Sequence, residues 1–241
     1  MHNNFHMALL LFAWISVGLT TFAALDAATR LPGGAPVAKR RTWRVACATI
    51  LGTGLWSGLW LAQAGLHTTL VDEKLAWEKP CGGGLTFKAY QRYPFLLEND
   101  TPKKLVMETR LAAPGAGWAR LTLKSPLLIY SRYDLNRMLL ERALRAGARI
   151  EQARALEVRR SDGRWVVQTR QGSLEADFLI VATGARNNLR NVGTEYSPSD
   201  MMLALGYYLP EEQDHIDVQF IPMLEGYIWV FPRCGRHSAG I

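Results

Sequence analysis

The chain has 241 residues, 49% of them hydrophobic and 20% charged, with a formal net charge of +7. That apolar share is ample for one large or two small cores, and it excludes wholesale disorder, a collagen-like repeat and a disulfide-stapled miniprotein. The charge sits at the start: Arg30, Lys39, Arg40, Arg41 and Arg44 face only Asp26, so the rest of the chain carries +3 and no basic footprint for nucleic acid.

Met7–Leu25 is a run of nineteen uncharged residues. At about 1.5 Å per residue it could cross most of a ~30 Å hydrocarbon layer. Three readings stand: a membrane anchor, a signal peptide longer than usual, or a segment that is not native and comes from upstream sequence or a frame error. Because basic residues follow, an anchor would leave the bulk of the chain on the cytoplasmic side, at the inner face of the membrane. Leu31–Ala38, with two Pro and two Gly, reads as a linker.

From Trp43 onward the pattern changes. A strand over 44–50 is followed by Gly52 and Gly54, a helix through Ala64 closed by Gly65, and a β-branched strand over 67–71 that ends at Asp72. Strand, glycine turn, helix, strand and acid make the first unit of a dinucleotide-binding fold. Gly52 and Gly54 would let the backbone approach a pyrophosphate at the helix start, and Asp72 would accept from ribose hydroxyls. The fingerprint departs from GxGxxG. Counting back from Gly65 puts Gly54 at the third glycine and Thr49 and Leu51 at the first two, where side chains crowd a phosphate. The alternative is a helix of small residues packed on a sheet.

Cys81, Gly82, Gly83 and Gly84 come next. Three consecutive glycines cost backbone entropy and make sense where main chain lies flat against a large planar ligand; otherwise they form a flexible loop. A strand over 127–130 leads through Arg132 into an amphipathic helix, 135–146, ended by Gly147. Strands over 149–159 and 165–170, with a turn at Ser161-Asp162-Gly163, precede a buried strand over 177–182. That strand ends in Thr183 and Gly184, where a doubly wound sheet places ligands. Last, Tyr227, Trp229 and Phe231 alternate before Pro232 and share one face, either as a core stripe or as the wall of an apolar cavity. The cysteines Cys47, Cys81 and Cys234 are odd in number and without ligand spacing, which argues against a metal and for a reducing, cytoplasmic compartment.

Together LAQAGLHTTLVDE, KPCGGGL, YSRYDLNRMLLERALRAGA, LIVATGAR and GYIWVFPR resemble flavoproteins of the p-hydroxybenzoate-hydroxylase type, and within them the geranylgeranyl reductases. The resemblance runs from about Gly58 to Ile241. It implies an α/β fold: a Rossmann-like FAD-binding domain with a β-meander (43–85 and 127–190) and an incomplete α+β substrate domain (86–126 and 191–241), after a hydrophobic N-terminal segment. It implies FAD as cofactor, with Asp72 at the adenosine ribose, Arg132 along the phosphates, and Leu156 meeting the adenine through its backbone. Cys81, Gly82 and Gly84 would line the isoalloxazine, Cys81 as a candidate catalytic thiol, while Thr183 and Gly184 close the cleft. Tyr227, Trp229, Phe231 and Pro232 would wall a channel for an isoprenoid lipid whose double bonds are saturated, with NADPH or reduced ferredoxin as electron donor. The family's later Gly-Asp segment does not occur before Ile241, so the expectation is a fragment. A flavin-dependent aromatic monooxygenase or halogenase is the nearest alternative. Halogenases carry Trp-x-Trp-x-Ile-Pro, where this chain has Tyr227 and Phe231 in place of the first Trp and the Ile. A non-catalytic, membrane-anchored binding protein is the alternative of another class.

Overall fold

The computed structural model describes residues 44–49, 53–184, 187–190, 192–193, 197, 199, 201–223 and 226–241. Met7–Leu25, the linker, Leu51 and Gly52 lie outside them. Among the described residues no helix is long and apolar enough to cross a membrane. The chain divides into two compact units, one holding the described residues up to Trp77 together with Asn136–Met202, the other Glu78–Leu135 with Leu203–Ile241.

In the first unit β1 (Arg44–Thr49) runs into α1 (Thr53–Gln63) and returns as β2 (His67–Val71). Parallel strands need such a crossover, and β1 and β2 pair in parallel from Arg44↔His67 to Ala48↔Val71. Helix α1 buries Leu55, Trp56, Leu59 and Ala62. A Cβ on Gly58 would lie 2.4 Å from Leu70 Cδ2, so glycine there sets how closely α1 approaches β2. At the helix end, Gly65 takes φ +80° while its N–H donates to Ala62 and that of Leu66 to Leu61, capping carbonyls that would otherwise be orphaned. Gly147 ends α3 (Arg132–Arg145) with the same pair of bonds.

After α3 the chain adds β6 (Arg149–Glu151) beside β2, then the antiparallel meander β7 (Glu157–Ser161), β8 (Arg164–Gln168) and β9 (Ser173–Ala176), and finally β10 (Phe178–Ala182) beside β1. The parallel order is β10-β1-β2-β6. The meander joins β6 to β10 and packs on it, with Val158, Val167 and Ala176 against Leu179 and Val181. Asp162 and Gly163 both take positive φ, the turn geometry that matches the twist of a two-residue hairpin. The span 149–159, expected as one strand, is two: 149–151 joins the parallel sheet, and the meander begins at Glu157.

The second unit is a seven-stranded sheet ordered β11-β14-β13-β12-β4-β5-β3. Its strands are β3 (Gly84–Leu85), β4 (Lys103–Ala113), β5 (Gly117–Tyr130), β11 (Gly206–Leu209), β12 (His215–Phe220), β13 (Tyr227–Arg233) and β14 (Arg236–Gly240), with the short helix α2 (Phe87–Arg92) after β3. The strand expected over 127–130 in the nucleotide-binding sheet is the end of β5. Its hydrogen bonds go to β4 (Lys103↔Tyr130) and β3 (Gly84↔Ile129) instead. The helix signal that follows it suggests a βα unit, and tertiary pairing overrides that suggestion.

Gly58→Val places branched bulk against the fully buried Leu70, and overpacking of this kind costs about 1–3 kcal/mol. The expected outcome is a lower urea midpoint with an unchanged m-value.

Candidate functional site

Residues 78–83 have no regular structure, yet they are tightly held. The holding group is Glu78. Its Oε1 accepts from Arg233 Nη1 at 2.7 Å and from the backbone N–H of Arg132 at 2.9 Å. Its Oε2 accepts from Ser131 Oγ at 2.8 Å and Arg236 Nη2 at 3.2 Å. Arg233 ends β13 and Arg236 opens β14, so one tight turn delivers both guanidiniums, and the Tyr208 ring packs against them at 5.2 and 4.8 Å. Arg233 is 1% exposed; its second terminal nitrogen donates to the Cys81 carbonyl, which also accepts from Ser238 Oγ at 3.2 Å. Arg132 Nη1 lies 3.6 Å from Cys81 Sγ. Cys81 is thus gripped at its carbonyl and flanked by a cation at its thiol.

The glycine run follows from what packs on it. A Cβ on Gly82 would stand 2.8 Å from the Phe231 ring, and one on Gly84 3.2 Å from the same ring. Gly83, at φ +79°, would press a Cβ to 2.0 Å from the Tyr130 carbonyl oxygen, while its own carbonyl accepts from Tyr130 N–H at 3.1 Å. On this side the planar group lying against the loop is the chain's own Phe231, a reason for the glycines that the sequence reading did not contain. Gly83 is buried; Cys81, Gly82 and Gly84 are half-buried.

Tyr227, Trp229 and Phe231 do share one face. Phe231 and Tyr227 pack on the core of Val106, Ile129, Ile216 and Val218, and the Trp229 and Phe231 rings meet edge to face at 5.8 Å. Burial, with Cys81 adding to it, pushes the Tyr227 hydroxyl up, so it stays an O–H donor at neutral pH. Pro232 is buried.

In the other unit, Asp72 sits just past β2 and is 7% exposed. Its Oδ1 accepts from the N–H groups of Lys74 and Leu75, both at 2.7 Å, and so shapes the turn that follows. Gly54 is buried in the first turn of α1. Thr183 Oγ1 donates to Asn187 Oδ1 at 2.9 Å, and Gly184, at φ +77°, is exposed just past β10. Leu156 is 45% exposed, but its N–H is committed to the Gln168 carbonyl, so backbone contact with a base would run through its carbonyl oxygen. Asp72, the start of α1 and Thr183-Gly184 all lie at the carboxyl ends of neighbouring parallel strands, where open α/β sheets bind ligands. Both amide atoms of Asn136, in α3 of this unit, are buried without hydrogen-bond partners.

Sequence reasoning missed Glu78, Ser131, Arg233, Arg236 and Ser238. A faint signal was present: a lone acid opening the Lys-Pro-Cys-Gly-Gly-Gly segment, and two arginines bracketing Cys234-Gly235.

No protein-family model matches the sequence, and no curated protein matches it. Solved structures do. A geranylgeranyl bacteriochlorophyll reductase-like protein from Thermoplasma acidophilum superposes with a TM-score of 0.68 at 21% identity, over 83% of this chain and 56% of its own. The p-nitrophenol 4-monooxygenase PnpA from Pseudomonas putida gives 0.66 at 14%, over 82% and 56%. The halogenase PltM, in complex with phloroglucinol and FAD, gives 0.64 at 14%, over 82% and 51%. The chain shares the fold of these solved proteins and spans about half the length of each.

Two outcomes test the loop. Gly82→Ala is expected to cost about 1–3 kcal/mol in urea unfolding, and Phe231→Ala in the same chain to offset part of that cost, so the two changes are non-additive. Burial alone would raise the Glu78 carboxyl, but its bonds to Arg233, Ser131 and the Arg132 N–H outweigh it and hold the group below the ordinary carboxylate value. Because the folded value is the lower one, the stabilisation is complete above the unfolded value of about 4.3 and is lost as pH falls through the folded one. Urea midpoints should therefore drop in acid, and Glu78→Gln should flatten that drop.

Proposed function

We propose that this chain is the FAD-binding part of a flavin-dependent oxidoreductase that saturates carbon–carbon double bonds of isoprenoid chains. The observation that carries the cofactor assignment is the parallel sheet β10-β1-β2-β6, closed by a meander, with the buried Asp72 just past β2. The residues present fit such a group: an acid, a helix start and a Thr-Gly turn sit at the same ends of adjacent strands, and α3 has buried polar atoms awaiting partners. Asp72 would hold the ribose, Gly52 and Gly54 the pyrophosphate, and the Leu156 carbonyl the adenine. Arg132 would neutralise phosphate charge, Thr183 and Gly184 would close the cleft, and Cys81, Gly82 and Gly84 would lie along the flavin ring.

A protein has no side chain able to deliver hydride to an isolated alkene, so bound reduced flavin supplies that equivalent. What the chain's own residues add is positioning, dryness and a proton. The second carbon needs a proton, and Cys81 and the protonated Tyr227 hydroxyl are two groups of this region that could give one. Tyr227, Trp229 and Phe231, all half-buried, offer the apolar surface an isoprenoid would contact, while the expected share of Pro232 in that wall is not available because Pro232 is buried on the opposite face of β13. Tyr227 and Phe231, standing where halogenases carry Trp and Ile, favour reduction over halogenation or aromatic hydroxylation. We assign the electron donor to the class of NADPH or reduced ferredoxin, and the location to the cytoplasm, where Met7–Leu25 would serve to hold the protein at the inner membrane face.

The test has two stages. Purified chain soaked in FAD and desalted should retain the flavin's visible absorbance, and Asp72→Ala should weaken FAD binding at least tenfold; a colourless product from the unaltered chain would overturn the flavin assignment. A polyprenyl lipid incubated with the protein and reduced flavin under argon should gain two hydrogens per double bond by mass, with Cys81→Ala slowing this by roughly a hundredfold. Oxygenation or halogenation of an aromatic in air, with the lipid unchanged, would assign it to the hydroxylases or halogenases instead.

A further inference from the structure

We propose that Arg233, with Glu78 as its counter-ion, is a positioning residue that fixes the Cys81 peptide and through it the whole Cys81–Gly84 loop. The loop has no secondary structure before Gly84, and three glycines by themselves leave a main chain easily deformed. Its geometry is set from outside. Arg233 spans two groups, with one terminal nitrogen on Glu78 Oε1 and the other on the Cys81 carbonyl. Ser238 gives that carbonyl a second donor. Glu78 meanwhile ties down the first residue of α3 through the Arg132 N–H and Ser131, and Arg132 in turn reaches the thiol. Both ends of Cys81, carbonyl and Sγ, are therefore fixed by contacts that converge on one carboxylate.

A fully buried guanidinium is costly where only packing is needed, and a pair of apolar side chains of the same volume would fill the space at least as stably. What apolar side chains cannot do is hold a carbonyl oxygen at a fixed place while pairing with an acid. The planar fork of arginine does this and the point charge of lysine does not. The role rests on the flavin reading only in what the loop is positioned for; the clamp itself is a property of the chain without cofactor.

The experiment compares wild type, Arg233→Met, Arg233→Lys, Glu78→Gln and the double variant Glu78→Gln/Arg233→Met. Each is followed by urea unfolding, by alkylation of Cys81 with iodoacetamide resolved by peptide mass spectrometry, and by amide hydrogen exchange at residues 82–85, with the meander 157–176 as internal reference. Arg233→Met should leave the half-buried Glu78 beside fewer cations and lower the midpoint, whereas the double variant should recover it. If Arg233 positions the loop, exchange at 82–85 and Cys81 alkylation rise at least tenfold in Arg233→Met and stay raised in the double variant, and Arg233→Lys restores them only in part. If both return to wild-type rates together with the midpoint, the pair is merely structural and the proposal is overturned. The same variants soaked in FAD keep the two readings apart: absence of bound flavin in the wild type defeats the cofactor assignment, while the alkylation and exchange rates still decide the clamp.

Discussion

The second unit is organised around one buried contact, the Arg233 guanidinium set between the Glu78 carboxylate and the Cys81 carbonyl. A charge closed off from water must be paired and hydrogen-bonded, and here the pairing ties together three places far apart in sequence: the loop before β3, the start of α3 and the β13–β14 turn. Such a pair is weak evidence for stability, because its desolvation opposes its attraction. It is strong in geometry, since few arrangements let the two terminal nitrogens reach Glu78 and the Cys81 carbonyl at once, although Arg233 Nε is left buried without a partner. The three glycines are the complement of that fixity. Once the Cys81 peptide is held on β13 and β14, Phe231 and the Tyr130 carbonyl come so close that a Cβ at Gly82 or Gly83 would clash and one at Gly84 would be tight.

The first unit works on a different principle. Its parallel strands carry their loops to one end by topology, so Asp72, the start of α1 and the Thr183-Gly184 turn lie at the same ends of adjacent strands. Here close packing is the constraint: Gly58 lets α1 sit against Leu70, and the meander covers β10 with Val158 and Val167. The resulting fold is shared with a reductase-like protein, a monooxygenase and a halogenase at 14–21% identity. A fold held by backbone topology and small residues tolerates that divergence, and so it does not fix which chemistry is performed.

The aromatic face of β13 illustrates how a single residue can serve two readings. In sequence, Tyr227, Trp229 and Phe231 are equally good as core or as cavity wall. In the structure Phe231 lies beneath the glycine loop and joins the core with Tyr227, while Trp229 lies over Gly240, whose Cβ would be 2.2 Å from the indole. The stripe is chiefly a support, which couples any apolar surface it offers to the position of Cys81.

Local signals carried most of the first unit. The β1–α1–β2 unit, the glycine caps of α1 and α3, the Asp162-Gly163 hairpin and β10 were legible because each is decided by residues near one another: periodicity, a left-handed glycine, a two-residue turn. The second unit was far less legible. The distal part of β5, 117–122, is exposed throughout and carries no alternation to mark a strand, and the pairing of 127–130 with β4 and β3 is a long-range choice that no window of sequence contains. The same holds for the site. Cys81 and its glycines stood out as unusual types in a row, whereas Glu78 and Arg233 are ordinary charged residues 155 positions apart. Their meaning arises only when the sheet brings them within hydrogen-bonding distance and shuts out water, because burial, not identity, is what turns a common ion pair into a constraint.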